Sequence, residues 1–227
     1  MATRANALAV MAKAPVPGEV KTRLRPAFTA EEAAEFSRSL LIDQLIHLQE
    51  MVTVDFYLAF APDDSRSLME QIAPARFQLF PQQGHDLGAR MNTIFEKLFQ
   101  MGHENITLIG GDLPPIPLPF FAAAYSFLES WKKGVVLGPS RDGGYYLVGC
   151  HRPTPQIFQN MSWSHSKVLA QTLARLSALK IDYHLLPNWF DIDTPDDLRH
   201  LRSALDPALE KAMPNTLALL RRLEERA

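Results

Sequence analysis

Short runs of β-branched, aromatic and aliphatic residues alternate with longer amphipathic stretches along nearly the whole chain. This alternation limits the possible folds more than any other feature. The run ALAVMA at 7–12 is apolar at every position, the pattern of a strand buried on both faces of a parallel sheet. Further strands are expected at 52–61, 77–82, 105–110, 134–140, 144–151 and 180–187. Between them lie helical segments at 29–49, 63–73, 86–101, 118–133 and 165–179, with mostly helix from Pro195 onward. The first of these opens on Thr29 with Glu32 three residues later, a capping-box signature. Strand and helix taking turns over short connections predict an α/β fold: a three-layer α/β/α sandwich on a mainly parallel, mixed sheet.

The 227 residues, 47% of them hydrophobic, suffice for one substantial core. No internal repeat, low-complexity tract or Gly/Ser-rich linker divides them. One domain over 1–227 is expected, with 205–227 as a helical appendage for packing or oligomerisation, so a homodimer is compatible with the sequence. A net charge of -2 argues against a dedicated nucleic-acid binder. The lone Cys150 excludes an intrachain disulfide and a CxxC zinc knuckle, which fits a reducing, cytoplasmic setting. The first fifteen residues carry too short an apolar stretch for a signal peptide. No run reaches the roughly 18–20 apolar residues that span a bilayer, so no membrane role is expected. No two of the seven histidines stand at i, i+4 on one helix, which argues against zinc. Cys150 ends an apolar strand, where an inert thiol is expected.

In such sheets ligands gather beyond the carboxyl ends of the strands, and the unusual residues fall there. After the first strand comes KAPVPGEVKTR, with Pro15, Pro17 and Gly18 shaping a stiff bend. The bend carries Lys13, Lys21, Thr22 and Arg23. Ammonium and guanidinium groups on exposed backbone suit phosphate oxygens; the bland alternative is a solvated basic turn. Neither GxxxxGK[ST] nor GxGxxG is present, so cations rather than a glycine nest would hold the phosphates.

The strand at 105–110 runs into GGDLPPIP. There Gly111 lets a ligand approach the backbone, and Asp112 faces the crevice as a ligand for Mg²⁺ or Mn²⁺, or as a helix cap. In DIDTPDDL, Asp191 and Asp193 alternate on extended chain and point the same way. Like charges so placed repel unless a cation lies between them or one is protonated. Asp196 and Asp197 read as complements of the following helix dipole. In GPSRDGGYYLVG, Asp142 leads the Gly143–Gly144 turn, a hairpin or a bed for a substrate flanked by Tyr145 or Tyr146. At 84–91, Asp86, Gly88 and Arg90 mark another loop-to-helix junction, with Arg90 reaching a phosphate or Asp86 capping the helix. Ser164 reads as a helix cap, and Trp163 as a pocket wall or a buried ring.

Together the segments AKAPVPGEVKTRL, GHDLGARM, GGDLPPIP, GPSRDGGYYLVG, SWSHSKVLAQT and DIDTPDDL resemble the nucleotide-diphospho-sugar transferase superfamily, the glycosyltransferase A fold. More closely they resemble a bacterial family labelled glycosyltransferases and linked by name to arsenosugar biosynthesis. They are also similar to 2-phospholactate guanylyltransferase. The resemblance implies Asp112 and Asp193 as metal ligands for Mg²⁺ or Mn²⁺, with Asp191 beside them. Lys21 and Arg23 would contact phosphate and stabilise charge, and Asp142 with Gly143 and Gly144 would lie near the acceptor. The chain departs from the pattern in its Pro-rich opening loop and in His165, where a threonine is expected. The implied partners are a nucleotide sugar or a nucleoside triphosphate, and a small-molecule acceptor. The implied activity is metal-dependent glycosyl transfer. Nucleotidyl transfer to a small phosphorylated acceptor is the alternative, and metal-indifferent nucleotide binding without turnover the third possibility.

Overall fold

A computed structural model describes residues 3–25, 27–132, 134–159, 161–163 and 165–225. Strands β1 (Asn6–Lys13), β2 (Val54–Ala61), β3 (Phe77–Pro81), β4 (Asn105–Gly110), β5 (Val135–Pro139), β6 (Tyr145–Cys150) and β7 (Tyr183–Leu185) form one sheet. Its order is β3-β2-β1-β4-β6-β5-β7. Strand β6 runs antiparallel to both β4 and β5, while every other neighbouring pair is parallel. The helices are α1 (Ala30–Leu48), α2 (Arg66–Ile72), α3 (Leu87–Gln100), α4 (Leu118–Ser130), α5 (Val168–Ala178), α6 (Pro195–Ala204), α7 (Pro207–Ala212) and α8 (Pro214–Glu224).

The apolar run of β1 is explained by burial on both sides. Leu8, Val10 and Ala12 join Leu41 and Leu45 of α1 and Phe121 of α4 on one face. Ala7 and Ala9 join Met91, Ile94 and Phe95 of α3 and Leu176 of α5 on the other. With helices covering both faces, neither side of β1 can be polar. Helix α1 starts as its sequence predicts: Glu32 N donates to Thr29 Oγ1 at 3.2 Å, and Thr29 N donates to Glu32 Oε2 at 2.8 Å. The cap expected at Ser164 lies outside the described residues.

One expectation is corrected. The strand at 180–187 shrinks to the exposed triplet Tyr183–Leu185. The C-terminal stretch is two helices, because Pro214 lacks the N–H that would continue α7 and instead starts α8. Helices α6 to α8 pack on α1 through Leu201, Leu209, Leu219 and Leu220 against Phe36 and Leu40. Asp43 of α1, only 1% exposed, accepts from Asn215 N at 3.1 Å, Asn215 Nδ2 at 2.7 Å and Thr216 N at 2.8 Å. The free N–H groups of α8 are thus capped by a carboxylate from a helix far away in sequence.

Burial pushes the Cys150 thiol up to about 12, so thiolate is scarce at ordinary pH. A disulfide exchange reagent is expected to leave the native chain unmodified and to titrate one thiol per chain in denaturant. Rapid labelling of the native protein would contradict this.

Candidate functional site

The order β2-β1-β4 places β1 beside β4, with the chain branching to opposite sides of that pair. A doubly wound sheet opens a crevice at such a point. Into it, beyond β1, comes the bend predicted to carry cations. Gly18 takes φ 81°, and Lys21 adopts φ 47°, ψ 35°, a left-handed backbone that bulky residues seldom occupy. A single 3-10 turn then follows over Thr22–Leu24, anchored by Leu24 at 0% exposure.

This backbone turns Lys21 inward, where its side chain is 3% exposed. Its Nζ lies 2.8 Å from Asp193 Oδ1 and 3.4 Å from Asp112 Oδ2, and donates to the Asp112 carbonyl at 3.3 Å. Burial acts to lower the ammonium pKa, but the charges of Asp112 and Asp193, then of Asp191, outweigh it, and the net shift is upward. One buried cation therefore joins a carboxylate from the end of β4 to one from the segment before α6.

Asp193 is held in place from below. The Asp197 carboxylate accepts from Asp193 N at 3.1 Å, Thr194 N at 2.8 Å and Thr194 Oγ1 at 2.7 Å, closing a capping box at α6. Burial acts to raise the Asp197 pKa, but the bonds from Thr194 and Asp193 hold it below the ordinary value. Asp197 therefore does more than complement a helix dipole: it orients the residue that meets Lys21.

Two cavities adjoin at Asp112, which lines both. One, of about 220 Å³, is lined by Lys13, Glu19, Lys21, Gly111 and Asp193 among others. The other, of about 320 Å³, is lined by Asp142, Asp191, Gly144, Tyr145, Trp163 and His165 among others. Asp191 and Asp193 flank Ile192, which is buried in the core with Phe190 and Leu201; Asp191 lines the larger cavity and Asp193 the smaller. Burial first, then the charges of Asp193, Asp112 and Asp142, raise Asp191 to about 6. Ser140 Oγ donates to Asp191 Oδ1 at 3.4 Å.

The raised value couples stability to pH. The native state holds a proton that the unfolded carboxyl releases at lower pH, so stability falls as pH rises from about 4 through about 6. Asp191→Asn is expected to raise stability by roughly 1 kcal/mol near neutral pH in metal-free buffer, after discounting for partial exposure. The gain should vanish below pH of about 4. An unchanged melting temperature near neutrality would contradict it.

Several predicted residues are not brought to this crevice. Thr22 and Arg23 are exposed and line neither cavity, because the 3-10 turn carries them past the point where Lys21 turns in. Lys13 does line the smaller cavity, with its Nζ donating to the Glu19 carbonyl at 2.9 Å. Asp86 caps α3 by accepting from Ala89 N at 2.7 Å, and Arg90 Nε turns back to the Gly84 carbonyl at 3.2 Å. Asp86 and Gly88 border a separate cavity with Phe158 and Gln159. A side chain at Gly88 would come within 2.7 Å of both Phe158 O and Trp163, so the glycine seats α3 against that segment.

Gly111 is needed by packing, since its Cβ would lie 2.8 Å from Ala12 Cβ. Gly143, at φ 88°, lies beneath Ser166, where a Cβ would come 2.1 Å from the Ser166 carbonyl. Ser166 thus covers the side of Gly143 on which a Cβ would stand. Gly143→Ala is therefore expected to destabilise the fold by about 2 kcal/mol or more, from strain and overlap together. A melting temperature equal to wild type would contradict this. Gly144 N donates to Asp142 Oδ1 at 2.9 Å, and Gly144 and Tyr145 do line the larger cavity.

The carboxylates Asp112 and Asp193 fit a hard divalent ion in donor type, since Mg²⁺ is commonly held by one or two carboxylates plus substrate phosphate. Among the described residues, however, no group of three His, Cys, Asp or Glu side chains is placed to hold a metal. Asp191 opens to the larger cavity, and Lys21 meets Asp193 through Oδ1 and Asp112 through Oδ2. The three aspartates are thus divided between the two cavities, with Asp112 common to both. Among the described residues no helix is long and apolar enough to cross a membrane.

The fold is that of the nucleotide-diphospho-sugar transferases. A crystal structure described as a "putative nucleotide-diphospho-sugar transferase" from Desulfovibrio desulfuricans G20 superposes with a TM-score of 0.90 at 28% identity, over 98% of this chain and 96% of that one. The 4-diphosphocytidyl-2C-methyl-D-erythritol synthase of Anaerococcus prevotii DSM 20548 is similar at a TM-score of 0.56 and 9% identity, over 88% and 96%. CMP:2-keto-3-deoxy-manno-octonic acid synthetase complexed with CTP is similar at 0.55 and 12%, over 87% and 97%. At those identities the last two share the fold alone. The chain belongs to the family described as "Uncharacterized protein conserved in bacteria (DUF2064)", whose model matches residues 41–165. That match takes in Asp112 and Asp142; Lys21 and Asp193 lie outside it. The chain matches no curated protein.

Proposed function

We propose that this chain is a metal-dependent transferase that moves a glycosyl group from a nucleotide-diphospho-sugar to a small-molecule acceptor. The observation that carries the proposal is the meeting of Lys21, Asp112 and Asp193 at the switch point of the sheet, with a cavity on either side of Asp112. The nucleotide's phosphates belong in the cavity that Lys13 and Lys21 line, and the group to be transferred faces the other. Likeness to a structure described as a nucleotide-diphospho-sugar transferase supports the choice of donor.

Asp112 and Asp193 would hold Mg²⁺ or Mn²⁺, which supplies positive charge to the departing diphosphate when bound. Lys21 is anchored on the same two carboxylates and presents a fixed cation beside them, where developing negative charge makes preorganised charge most useful. Asp197 keeps Asp193 in register with this pair. Asp142 stands at the mouth of the larger cavity, with Oδ1 held by Gly144 N and a carboxylate oxygen left to meet an acceptor hydroxyl.

Nucleotidyl transfer is the second reading, favoured by two lysines in one cavity, which suit a triphosphate. Incubation with Mg²⁺ or Mn²⁺, a panel of acceptors, and separate pools of nucleotide sugars and nucleoside triphosphates separates the two. Acceptor-dependent release of nucleoside diphosphate is expected. Release of pyrophosphate would replace the first reading with the second. Tight, metal-indifferent nucleotide binding with no turnover would remove both.

A further inference from the structure

The two cavities differ in charge. Lys13 and Lys21 line the smaller one. The larger is lined by the carboxylates of Asp112, Asp142 and Asp191, and among its described lining residues there is no lysine or arginine. Among the neighbouring cations, Arg141 and Lys167 adjoin lining residues in sequence but are exposed and do not line the cavity. Lys21 is buried on Asp193 and Asp112, and Lys13 is turned to Glu19.

His165 is the one remaining side chain of this cavity that can carry positive charge. Lys167 N donates to its Nδ1 at 3.0 Å. In the tautomer that accepts this bond, the ring offers its Nε2–H as a donor. Around these groups stand Tyr145, Tyr146 and Trp163 with Leu87, Leu113 and Val168, apolar surface suited to the C–H faces of a ring or a short carbon chain.

We infer that the acceptor held in this cavity is an uncharged or cationic hydroxylated molecule, and not a phosphorylated one. The inference rests on the transferase reading for the word acceptor; the chemistry of the cavity stands apart from it. Carboxylate oxygens accept hydrogen bonds from hydroxyl or ammonium groups, the His165 Nε2–H donates to a hydroxyl oxygen, and the rings cover the apolar side. A phosphate finds no lysine or arginine among the described lining residues. At an effective dielectric near 20, a carboxylate about 5 Å from a phosphate charge weakens binding by roughly a hundredfold, and three carboxylates border the space. Its volume, about 320 Å³, lies at the small end of ligand sites and suits a molecule of monosaccharide size.

The full chain labelled with 5-fluorotryptophan tests this. It has three tryptophans, and Trp163→Phe identifies the resonance of the one in the cavity wall. The probes are two matched pairs: glucose with glucose 6-phosphate, and glucosamine with glucosamine 6-phosphate. The Trp163 resonance is expected to reach half-saturation at least about tenfold lower in the unphosphorylated member of one pair or both, with the reverse order in neither. Equal or tighter response to the phosphorylated member in either pair overturns the inference, as does no response of Trp163 to any of the four. Calorimetric titration of nucleoside diphosphates with Mg²⁺ on the same sample reports the transferase reading separately. Absence of nucleotide binding beside a selective Trp163 response sinks that reading and leaves the cavity's preference standing. Nucleotide binding beside a phosphate-preferring cavity sinks this inference alone.

Discussion

Lys21→Met is expected to lower acceptor-dependent nucleoside diphosphate release by about two to three orders of magnitude, the usual cost of removing one preorganised charge from a transfer site. The substitution keeps the length of the side chain but deletes the only cation that touches both Asp112 and Asp193 among the described residues. Lys21→Arg retains the charge but not a compact ammonium in a buried space, and should recover little. Arg23→Met is the matched control. Two residues along the same loop, Arg23 is exposed and lines neither cavity, so its removal should change the rate by no more than about twofold. Equal losses in the two methionine variants would contradict the assignment of the loop.

Asp43→Ala is expected to destabilise the chain by about 3 kcal/mol, since three hydrogen bonds to a buried carboxylate disappear and two N–H groups of α8 lose their cap. For a chain of this size that corresponds to a fall in melting temperature of roughly 6–12 °C. The loss should concentrate in the C-terminal helices. Hydrogen exchange is expected to speed up in α8 and its partner face on α1, while β1 and β4 keep their relative protection. A melting temperature within about 1 °C of wild type would contradict the role of Asp43 as a remote cap.

Legibility in the sequence followed locality. The apolar strand at the start of the chain, buried on both faces, and the Thr29–Glu32 capping box are set by neighbours within a few residues, and both are readable. Asp112 and Asp193 stand out because each follows an extended segment at an end where the sheet opens. The choice of Lys21 over Arg23 is not readable. Spacing predicts direction only in a regular element, and here a left-handed residue and one 3-10 turn send neighbouring cations opposite ways. In the sequence Gly143 reads as open to a substrate, because its cover, Ser166, comes from a segment some twenty residues on. Asp86 takes the local role of a cap, and Arg90 turns back to Gly84. Asp43 carries no usable signal, and Asp197 only the spacing of a capping box with Thr194, not its hold on Asp193. Asp43 finds its partners across most of the chain, and Asp197 occupies the position of an ordinary first-turn acid, its bond from Asp193 N being set by the fold. His165, where the family pattern leads one to expect threonine, proves to line the larger cavity.

The most direct test of the central claim, that Asp112 and Asp193 act through one shared cation site on a nucleotide's phosphates, is a calorimetric double-mutant cycle. Nucleoside diphosphates are titrated with and without Mg²⁺ into wild type, Asp112→Asn, Asp193→Asn and the double variant, each checked for an unchanged fold. Each single variant is predicted to lose at least about tenfold in the metal-dependent part of its affinity, and the double variant to lose little more than either. Undiminished metal dependence in either single variant, or losses that simply add, would contradict it.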